Sequence, residues 1–206
     1  MQREEHENRA LLRGRAAGIP VLSHQNHGEN YLTFPLAVPR LSGTEDILNI
    51  LASARLLQGC PIVPGKEVEA EGEIRSFNNR SGPGSRLIIT LFARRLESSD
   101  EESCNSVLLS GTLCKPPVLR RTPLGRDICD ILLAVNRHYG RADYLPCISW
   151  GTLATTCGAL MVGEGVTLEG RLQSREYRKL VGGESQVRTA FEISVMRLQI
   201  KTSDAL

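Results

Sequence analysis

Apolar and polar residues alternate along most of the second half of the chain. The alternation is clearest in five segments bounded by Gly, Pro or charged residues: VLLSGTL, DICDILLAV, YLPCISW, GVTLEGRLQS and TAFEISVMRLQI. A period of two places alternate side chains on opposite faces of a β-strand. The pattern therefore predicts five consecutive strands in this half.

One segment between the third and fourth strands has a different period. In GTLATTCGALM the apolar residues Leu153, Cys157, Leu160 and Met161 are spaced by three or four positions. That spacing predicts a short helix. In one small domain, the order strand-strand-strand-helix-strand-strand indicates the five-stranded Greek-key barrel called the OB-fold.

The chain also repeats itself. NRALLRGRAAGIPVL at residues 8–22 aligns with NSVLLSGTLCKPPVL at residues 105–119, an offset of 97. GKEVEAEGEI at 65–74 aligns with GEGVTLEGRL at 163–172, and SRLIITLFARRL aligns with QVRTAFEISVMRL near the ends. Order and spacing persist through short insertions, which indicates a duplicated domain. We therefore predict an all-β fold of two tandem OB-fold barrels, each with a short helix between strands 3 and 4.

The first copy keeps the strand pattern less well. Pro35 and Pro39 lie in or beside its second strand, which favours an edge or a bulge there. Pro61 and Pro64 shorten the helix that follows its third strand. We predict a degenerate N-terminal domain at 1–97, a polar acidic linker at 98–104, and a C-terminal binding domain at 105–206.

Charge is distributed unevenly between the two copies. Residues 1–103 contain 12 Lys and Arg against 14 Asp and Glu, whereas residues 104–206 contain 13 against 9. If one half contacts phosphates, it is therefore expected to be the second.

Composition narrows the chemistry further. The charged N-terminus has no apolar segment of the kind found in signal peptides, and we expect a cytoplasmic protein. The six cysteines form no C-x-x-C pair, so reduced thiols are the simpler interpretation than zinc ligands or disulfides. His24 and His27 form an H-x-x-H in a predicted polar loop without further ligands. No catalytic constellation or P-loop can be placed, so we predict no enzyme activity, metal or cofactor.

The second copy resembles a known family, the bacterial single-stranded DNA-binding proteins, and more distantly the primosomal replication protein N. The resemblance rests on LLSGTLCKPPVLRRTPLGR, ILLAVNR, DYLPCISW and LEGRLQSREY, which follow in order through most of residues 105–206. The last block is the most specific. The first copy resembles the family mainly through its similarity to the second.

The resemblance implies a set of aromatic side chains on which bases stack. Tyr139, Tyr144, Trp150 and Tyr177 fall where the family places such residues. In a protein with few aromatic residues this grouping is informative, although packing in the core is an alternative for each ring. The aligned positions in the first copy are Ser42, Ile47, Ser53 and Asn79. We therefore expect the first copy to lack this stacking platform.

Basic residues interleave with these rings. We predict phosphate contacts from Lys115, Arg120, Arg121, Arg137, Arg171, Arg175 and Arg178. Arg120 and Arg121 are placed in the turn between the first two strands, and Arg175 and Arg178 flank Tyr177 on the hairpin after the fourth. A solvated charged surface is the alternative for any single arginine.

The expected function is non-catalytic binding of single-stranded DNA in replication, recombination or repair. The alternative is an OB-fold interaction or primosome assembly module with weak or vestigial DNA binding. Family members commonly present four OB-folds per assembly, so two copies in one chain predict a homodimer. They also end in an acidic tip that recruits replication proteins. This sequence ends in LQIKTSDAL, so such recruitment is in doubt. We expect a cytoplasmic, nucleoid-associated protein without a membrane partner.

Overall fold

The structure is a computed structural model that describes residues 7–78, 87–137, 140–181 and 184–201. Strands dominate these residues, which confirms the predicted all-β class. The first copy contains β1 Asn8–Ala16, β2 Val21–Asn26, β3 Glu29–Pro39, β4 Glu45–Ser53, α1 Ala54–Gly59, β5 Glu67–Asn78 and β6 Leu87–Ser98. The second contains β7 Cys104–Leu113, β8 Val118–Arg121, β9 Asp127–Asn136, β10 Ala142–Trp150, α2 Thr152–Gly158, β11 Gly165–Val181 and β12 Glu184–Ile200.

The chain divides into two compact units. The first unit contains Arg9–Ser106 together with the segment Gln173–Phe191, which we call the arm. The second unit contains Val107–Leu172 and the part of β12 that begins at Glu192. The arm is the distal part of β11 and β12, so it is part of the second copy in sequence but belongs to the first unit by its contacts. The domain boundaries set out above remain predictions.

In the first unit, five strands close into a barrel in the order β1-β3-β4-β6-β5 and back to β1. Closure comes from the pairing of Arg15 with Ala37 and of Ala16 with Leu36. Neighbours are antiparallel except β4 and β6, which run parallel. This is the strand order of an OB-fold, with α1 between the third and fourth barrel strands.

The second copy repeats this arrangement. Its barrel order is β7-β9-β10-β12-β11, closed by the pairing of β7 with β9. The parallel neighbours are β10 and β12, which correspond to β4 and β6. The helix α2 lies between β10 and β11, as the helical spacing of Leu153 and Cys157 predicts. Two OB-fold barrels with one short helix each are therefore confirmed.

Each barrel is filled by the inward half of the alternating pattern. Leu36, Leu48 and Leu91 are fully buried in the first barrel, and Leu133 and Leu145 are fully buried in the second. In β10 the odd-numbered positions are buried, while Tyr144 near the start of the strand and Trp150 at its end are exposed on the other face. The outward face of this strand is therefore available for binding.

Two short strands were not predicted. The interpretation of Arg120 and Arg121 as turn residues is wrong, because Val118–Arg121 forms β8 and pairs with β9. His24 likewise lies in strand β2 rather than in a loop. Both strands are exposed along their length, so they have no alternation of buried and exposed positions to reveal them.

Pro35 sits inside β3 rather than at a sheet edge. On one side it pairs with Asn49 of β4. On the other side, β3 pairs with β2 up to Thr33 and with β1 from Leu36. The missing N–H of Pro35 therefore falls where the neighbouring strand changes, and a ladder hydrogen bond is not lost. Pro61 likewise costs no backbone hydrogen bond of the helix, because α1 ends before it, at Gly59.

The barrel closure requires a glycine at position 111. A Cβ there would lie 2.5 Å from the Ala134 carbonyl oxygen and 2.8 Å from Leu133 Cγ. We expect Gly111→Ala to destabilise the protein by about 1–3 kcal/mol, the usual cost of overpacking, measured by urea unfolding. Gly165→Ala is the control, because its Cβ would meet only the flexible Lys201 side chain at 3.4 Å or more. Equal stability of the two variants would contradict this account of the closure.

Candidate nucleic-acid interface

Two of the predicted stacking residues lie on the outward face of β10. Tyr144 is 51% exposed and Trp150 is 45% exposed. They are six residues apart on one strand, so both side chains project from the same face of the sheet. The intervening Leu145 and Cys147 point into the barrel and are buried. The structure thus places two exposed large rings on the same face of one strand.

The strand register adds a cation to this face. Trp150 pairs with Ile128 on β9, and Ile128 pairs with Arg120 on β8. The three residues form one transverse row across β10, β9 and β8. An exposed ring at one end and a guanidinium at the other is an arrangement that suits a base and its phosphate.

Arg120 and Arg121 are held by carboxylates. Arg120 donates from Nε to Asp130 Oδ2 at 2.7 Å and from Nη2 to Oδ1 at 3.3 Å. Arg121 makes the same two-point contact with Asp127, at 2.8 Å and 3.3 Å. The hydrogen bond from Arg121 lowers the pKa of Asp127, and both arginines have raised pKa values through these bonds. Their charges are therefore fixed in place and partly neutralised.

Arg137 has a different environment. Its Nε donates to Asp143 Oδ2 at 2.6 Å, and its Nη2 donates to Asp143 Oδ1. The Asp143 side chain is fully buried and that of Arg137 is 20% exposed. The first unit contains the same pair at an offset of 97, where Arg40 Nε donates to Asp46 Oδ2 at 2.8 Å. Because both copies contain it, the pair is a structural part of the barrel, and phosphate contact by Arg137 remains a prediction.

The other predicted residues are distributed over both units. Lys115 is exposed and Arg171 is half-buried in the second unit. Tyr177 is half-buried, with Arg175 and Arg178 exposed beside it, in the arm of the first unit. These three lie within β11, which continues to Val181. Tyr139 lies outside the described residues.

Sequence reasoning missed Arg126. It lines an open groove at Trp150, together with Asp127 and the start of α2 at Thr152 and Thr155. Arg126 lies in the loop between β8 and β9, and the unrecognised β8 concealed that this loop is a hairpin tip beside β10. The signal that could have found it is the TPLGR turn sequence that follows VLRR.

The cysteines do not add reactive chemistry to this face. All six are free thiols, and Cys129, Cys147 and Cys157 are buried. Burial raises the pKa of Cys129 to about 11 and also raises the pKa of Cys157. Such thiols are poor nucleophiles at neutral pH. Within the described residues, no cluster of His, Cys, Asp and Glu side chains is placed to hold a metal. None of the described helices is long and apolar enough to cross a membrane.

Closed OB-fold barrels, one with exposed rings and cations on its outer sheet face, define the class of an OB-fold nucleic-acid-binding protein. The family model described as the single-strand binding protein family matches residues 104–201. The single-stranded DNA-binding protein B of Bacillus subtilis (strain 168) is 36% identical over 85 residues, covering 38% of this chain and 75% of that protein. The single-stranded DNA-binding protein 3 of Listeria innocua is 33% identical over 108 residues, covering 49% and 68%. The chain therefore belongs to the single-strand binding protein family.

Other matches extend and limit this assignment. The match spans only 49% of the single-stranded DNA-binding protein A of Bacillus subtilis and 60% of the Bacillus cereus relative. The chain is also similar to the crystal structure of the single-stranded DNA binding protein from Thermus aquaticus, with a TM-score of 0.77 and 22% identity. That similarity covers 97% of this chain and 95% of the other, so it supports the fold of both copies.

Proposed function

We propose that the chain binds single-stranded DNA without catalysis, with the outer face of β10, β9 and β8 as its main site in the second unit. The observation that supports this proposal is the row of Trp150, Ile128 and Arg120, with Tyr144 further along the same strand. Bases stack on the exposed rings, while arginines beside them neutralise phosphates. Every base has a flat face, so the site accepts any sequence.

The test is a titration of the full chain with oligo-dT and poly-U at several salt concentrations. Trp150 is the single tryptophan of the chain, so its fluorescence reports binding at this site. We expect the fluorescence to be quenched and the affinity to fall steeply with salt. No measurable binding to any single-stranded oligonucleotide at low salt would contradict the proposal and favour an interaction module. A comparison of oligo-dT with poly-U separates DNA preference from RNA preference.

The ion pair of Arg120 with Asp130 gives a further prediction. In Asp130→Asn the guanidinium loses its charged partner, so we expect tighter binding and a steeper salt dependence. Neutralising one more phosphate of a single strand adds about 0.7 to the slope of log K against log salt. The control is Glu169→Gln, which loosens an exposed ion pair with Arg197 on β12. Weaker binding of Asp130→Asn would show that Asp130 positions Arg120 for the phosphate.

We also propose the wider role and the assembly. Membership of the family supports a function in replication, recombination or repair, in the cytoplasm and in association with the nucleoid. A homodimer would bring four barrels together, the number that the family commonly presents. Light scattering at tens of micromolar tests this assembly, and a monomer at that concentration would contradict it.

A further inference from the structure

The first barrel has its own row of rings, at positions that the internal alignment does not reveal. The rings of His24 and Tyr31 are stacked, with centroids 5.1 Å apart and planes inclined by 10°. Tyr31 also stacks on Phe92, at 5.7 Å, and the Arg94 guanidinium lies 4.7 Å from the centre of the Phe92 ring. These residues come from β2, β3 and β6, and Tyr31 and Phe92 adjoin β4.

The strand registers show that the rings occupy the face that corresponds to the Trp150 face. In the second barrel Trp150 of β10 pairs with Ile128 of β9. In the first barrel the equivalent pair is Ser53 of β4 with Tyr31 of β3. The aromatic member of the pair has moved to the neighbouring strand. An alignment that compares Ser53 with Trp150 therefore indicates that the ring is lost. The paired residue Tyr31 nevertheless supplies a ring at this place on the face.

The pairing of β4 with β6, which corresponds to that of β10 with β12, also differs between the copies in which residue is aromatic. Leu51 pairs with Phe92 in the first barrel, whereas Ile148 pairs with Ser194 in the second. The first barrel thus places a ring on β6 where the second has a serine on β12. Two rings lie on the outer face of the first barrel even though its aligned positions lack them.

An open groove of about 550 Å³ adjoins this face. It is lined by Thr33, Asn49 and Thr90 from three barrel strands, by His24 from β2, and by Arg188 from the arm. The described residues that line the groove include no carboxylate, although the first copy carries more acidic than basic residues. The groove is therefore compatible with an anionic ligand.

Two polar atoms in this groove lack hydrogen-bond partners. Within the described residues, Thr90 Oγ1 and Arg188 Nε are buried and make no hydrogen bond, and Thr90 is only 5% exposed. Arg188 Nη2 donates to Gln186 Oε1 at 3.2 Å, which is a neutral partner, and no carboxylate of the described part of the chain forms an ion pair with Arg188. Buried polar groups in proteins nearly always have a partner, so Thr90 Oγ1 can accept a hydrogen bond from, or donate one to, a ligand or a water in the groove, and Arg188 Nε can donate one.

The arm is anchored to the first barrel at its beginning, through Ser174. The Ser174 N–H donates to Asp46 Oδ1 at 2.7 Å, and the Ile47 N–H donates to Ser174 Oγ at 3.0 Å. Arg40 Nη2 donates to the Ser174 carbonyl at 2.9 Å. The same Arg40–Asp46 pair that braces the barrel therefore also fixes the beginning of the arm.

We propose that this groove is a second single-strand site, in which the first barrel and the arm bind a nucleotide segment together. The inference rests on the proposed function of the chain. A phosphate would pair with Arg188, a base would stack on the His24–Tyr31 pair, and the Thr90 hydroxyl would bond to a base or sugar. The first copy is then a binding domain with a relocated platform rather than a degenerate one.

The experiment compares variants of the full chain with short oligo-dT. The wild type is expected to bind two oligonucleotides per chain, one on each barrel, as measured by calorimetry. Arg188→Gln and Tyr31→Leu are each expected to weaken the first-barrel site by about 5-fold or more, as loss of a stacking or phosphate partner implies. The Trp150 quenching curve, which reports the second barrel, is expected to stay unchanged.

The controls separate binding from folding. Tyr31→Phe keeps the ring and is expected to lose less affinity than Tyr31→Leu. Arg55→Gln removes an exposed cation on α1 and is expected to bind as the wild type does. Thermal unfolding checks that each variant is folded, and Arg188→Gln tests the groove without altering the stacked rings. An excess of thymidine monophosphate tests whether a free nucleotide suffices.

The outcomes distinguish the two proposals. If the wild type binds and both groove variants bind identically to it, the second site is wrong while the proposed function stands. If the wild type fails to bind any oligonucleotide, the proposed function fails. If thymidine monophosphate alone binds the groove as tightly as the oligonucleotide, the groove is a nucleotide pocket and its assignment to a strand is overturned.

Discussion

Trp150→Ala is expected to weaken binding of oligo-dT by about 10-fold or more. A base stacked on an aromatic ring contributes about 1–3 kcal/mol, and each 1.4 kcal/mol is tenfold in affinity. Trp150 is nearly half exposed at the end of β10, so its ring can stack without rearrangement of the core. Combining it with Tyr144→Ala removes both rings of this strand, and the loss is expected to be larger again. Anisotropy of a labelled oligonucleotide measures both variants, since the intrinsic fluorescent probe is gone.

Two controls define what this result means. Trp150→Phe keeps a ring at the site and is expected to retain most of the affinity. Met161→Ala removes another exposed apolar side chain of the second unit, 67% exposed and outside the β10 face, and is expected to have no effect. If Trp150→Ala binds oligo-dT as tightly as the wild type, the β10 face is not the main site.

The barrels could be predicted from the sequence because their cores follow simple periods. Alternation of apolar residues marks strands such as β7 and β9, and the spacing of Leu153 and Cys157 marks α2. The repeat then transfers the second copy's pattern to the first, where prolines obscure it. The strand and helix periods depend on residues that are close in sequence, and the repeat depends on comparing the chain with itself. Both are signals that a single sequence provides.

The parts that could not be predicted depend on pairing between strands. The two-point contacts of Arg120 and Arg121 with Asp130 and Asp127 follow from the β8–β9 register, which has no signature in four exposed residues. The ring of Tyr31 could not be assigned to the binding face for the same reason. An alignment compares positions along a strand, whereas a binding face is assembled across strands.

The two copies therefore retain their framework and vary their surface. Gly14 and Gly111 both stand where a Cβ would meet a neighbouring strand, and the buried Arg–Asp pair is present in both barrels. The outer face has instead exchanged residues, with Trp150 in one copy and Tyr31 in the other as its ring. Framework positions are restricted by packing on all sides, whereas a stacking surface needs only some ring within reach.

The framework role of the Arg–Asp pair leads to the prediction with the largest effect on stability. Asp143→Ala is expected to destabilise the second unit by about 3 kcal/mol, because it leaves the Arg137 guanidinium mostly buried without its carboxylate. Urea unfolding followed by Trp150 fluorescence measures this effect, since the probe lies on the same strand as Asp143. The exposed pair of Glu169 and Arg197, 3.8 Å apart, gives the control, and Glu169→Ala is expected to cost less than about 1 kcal/mol.

The double variant Arg137→Met with Asp143→Leu decides between the two roles of Arg137. If the pair is structural, replacing both partners with apolar residues is expected to recover most of the stability lost in Asp143→Ala. Binding of oligo-dT to the refolded double variant should then match the wild type, because no phosphate contact has been removed. If stability is recovered but binding falls and the salt dependence becomes shallower by about 0.7, Arg137 contacts a phosphate and its pairing with Asp143 orients it for that contact. Loss of both stability and binding would mean that an apolar pair cannot replace Arg137 and Asp143 in the barrel. That outcome is the least compatible with a merely electrostatic role for the pair.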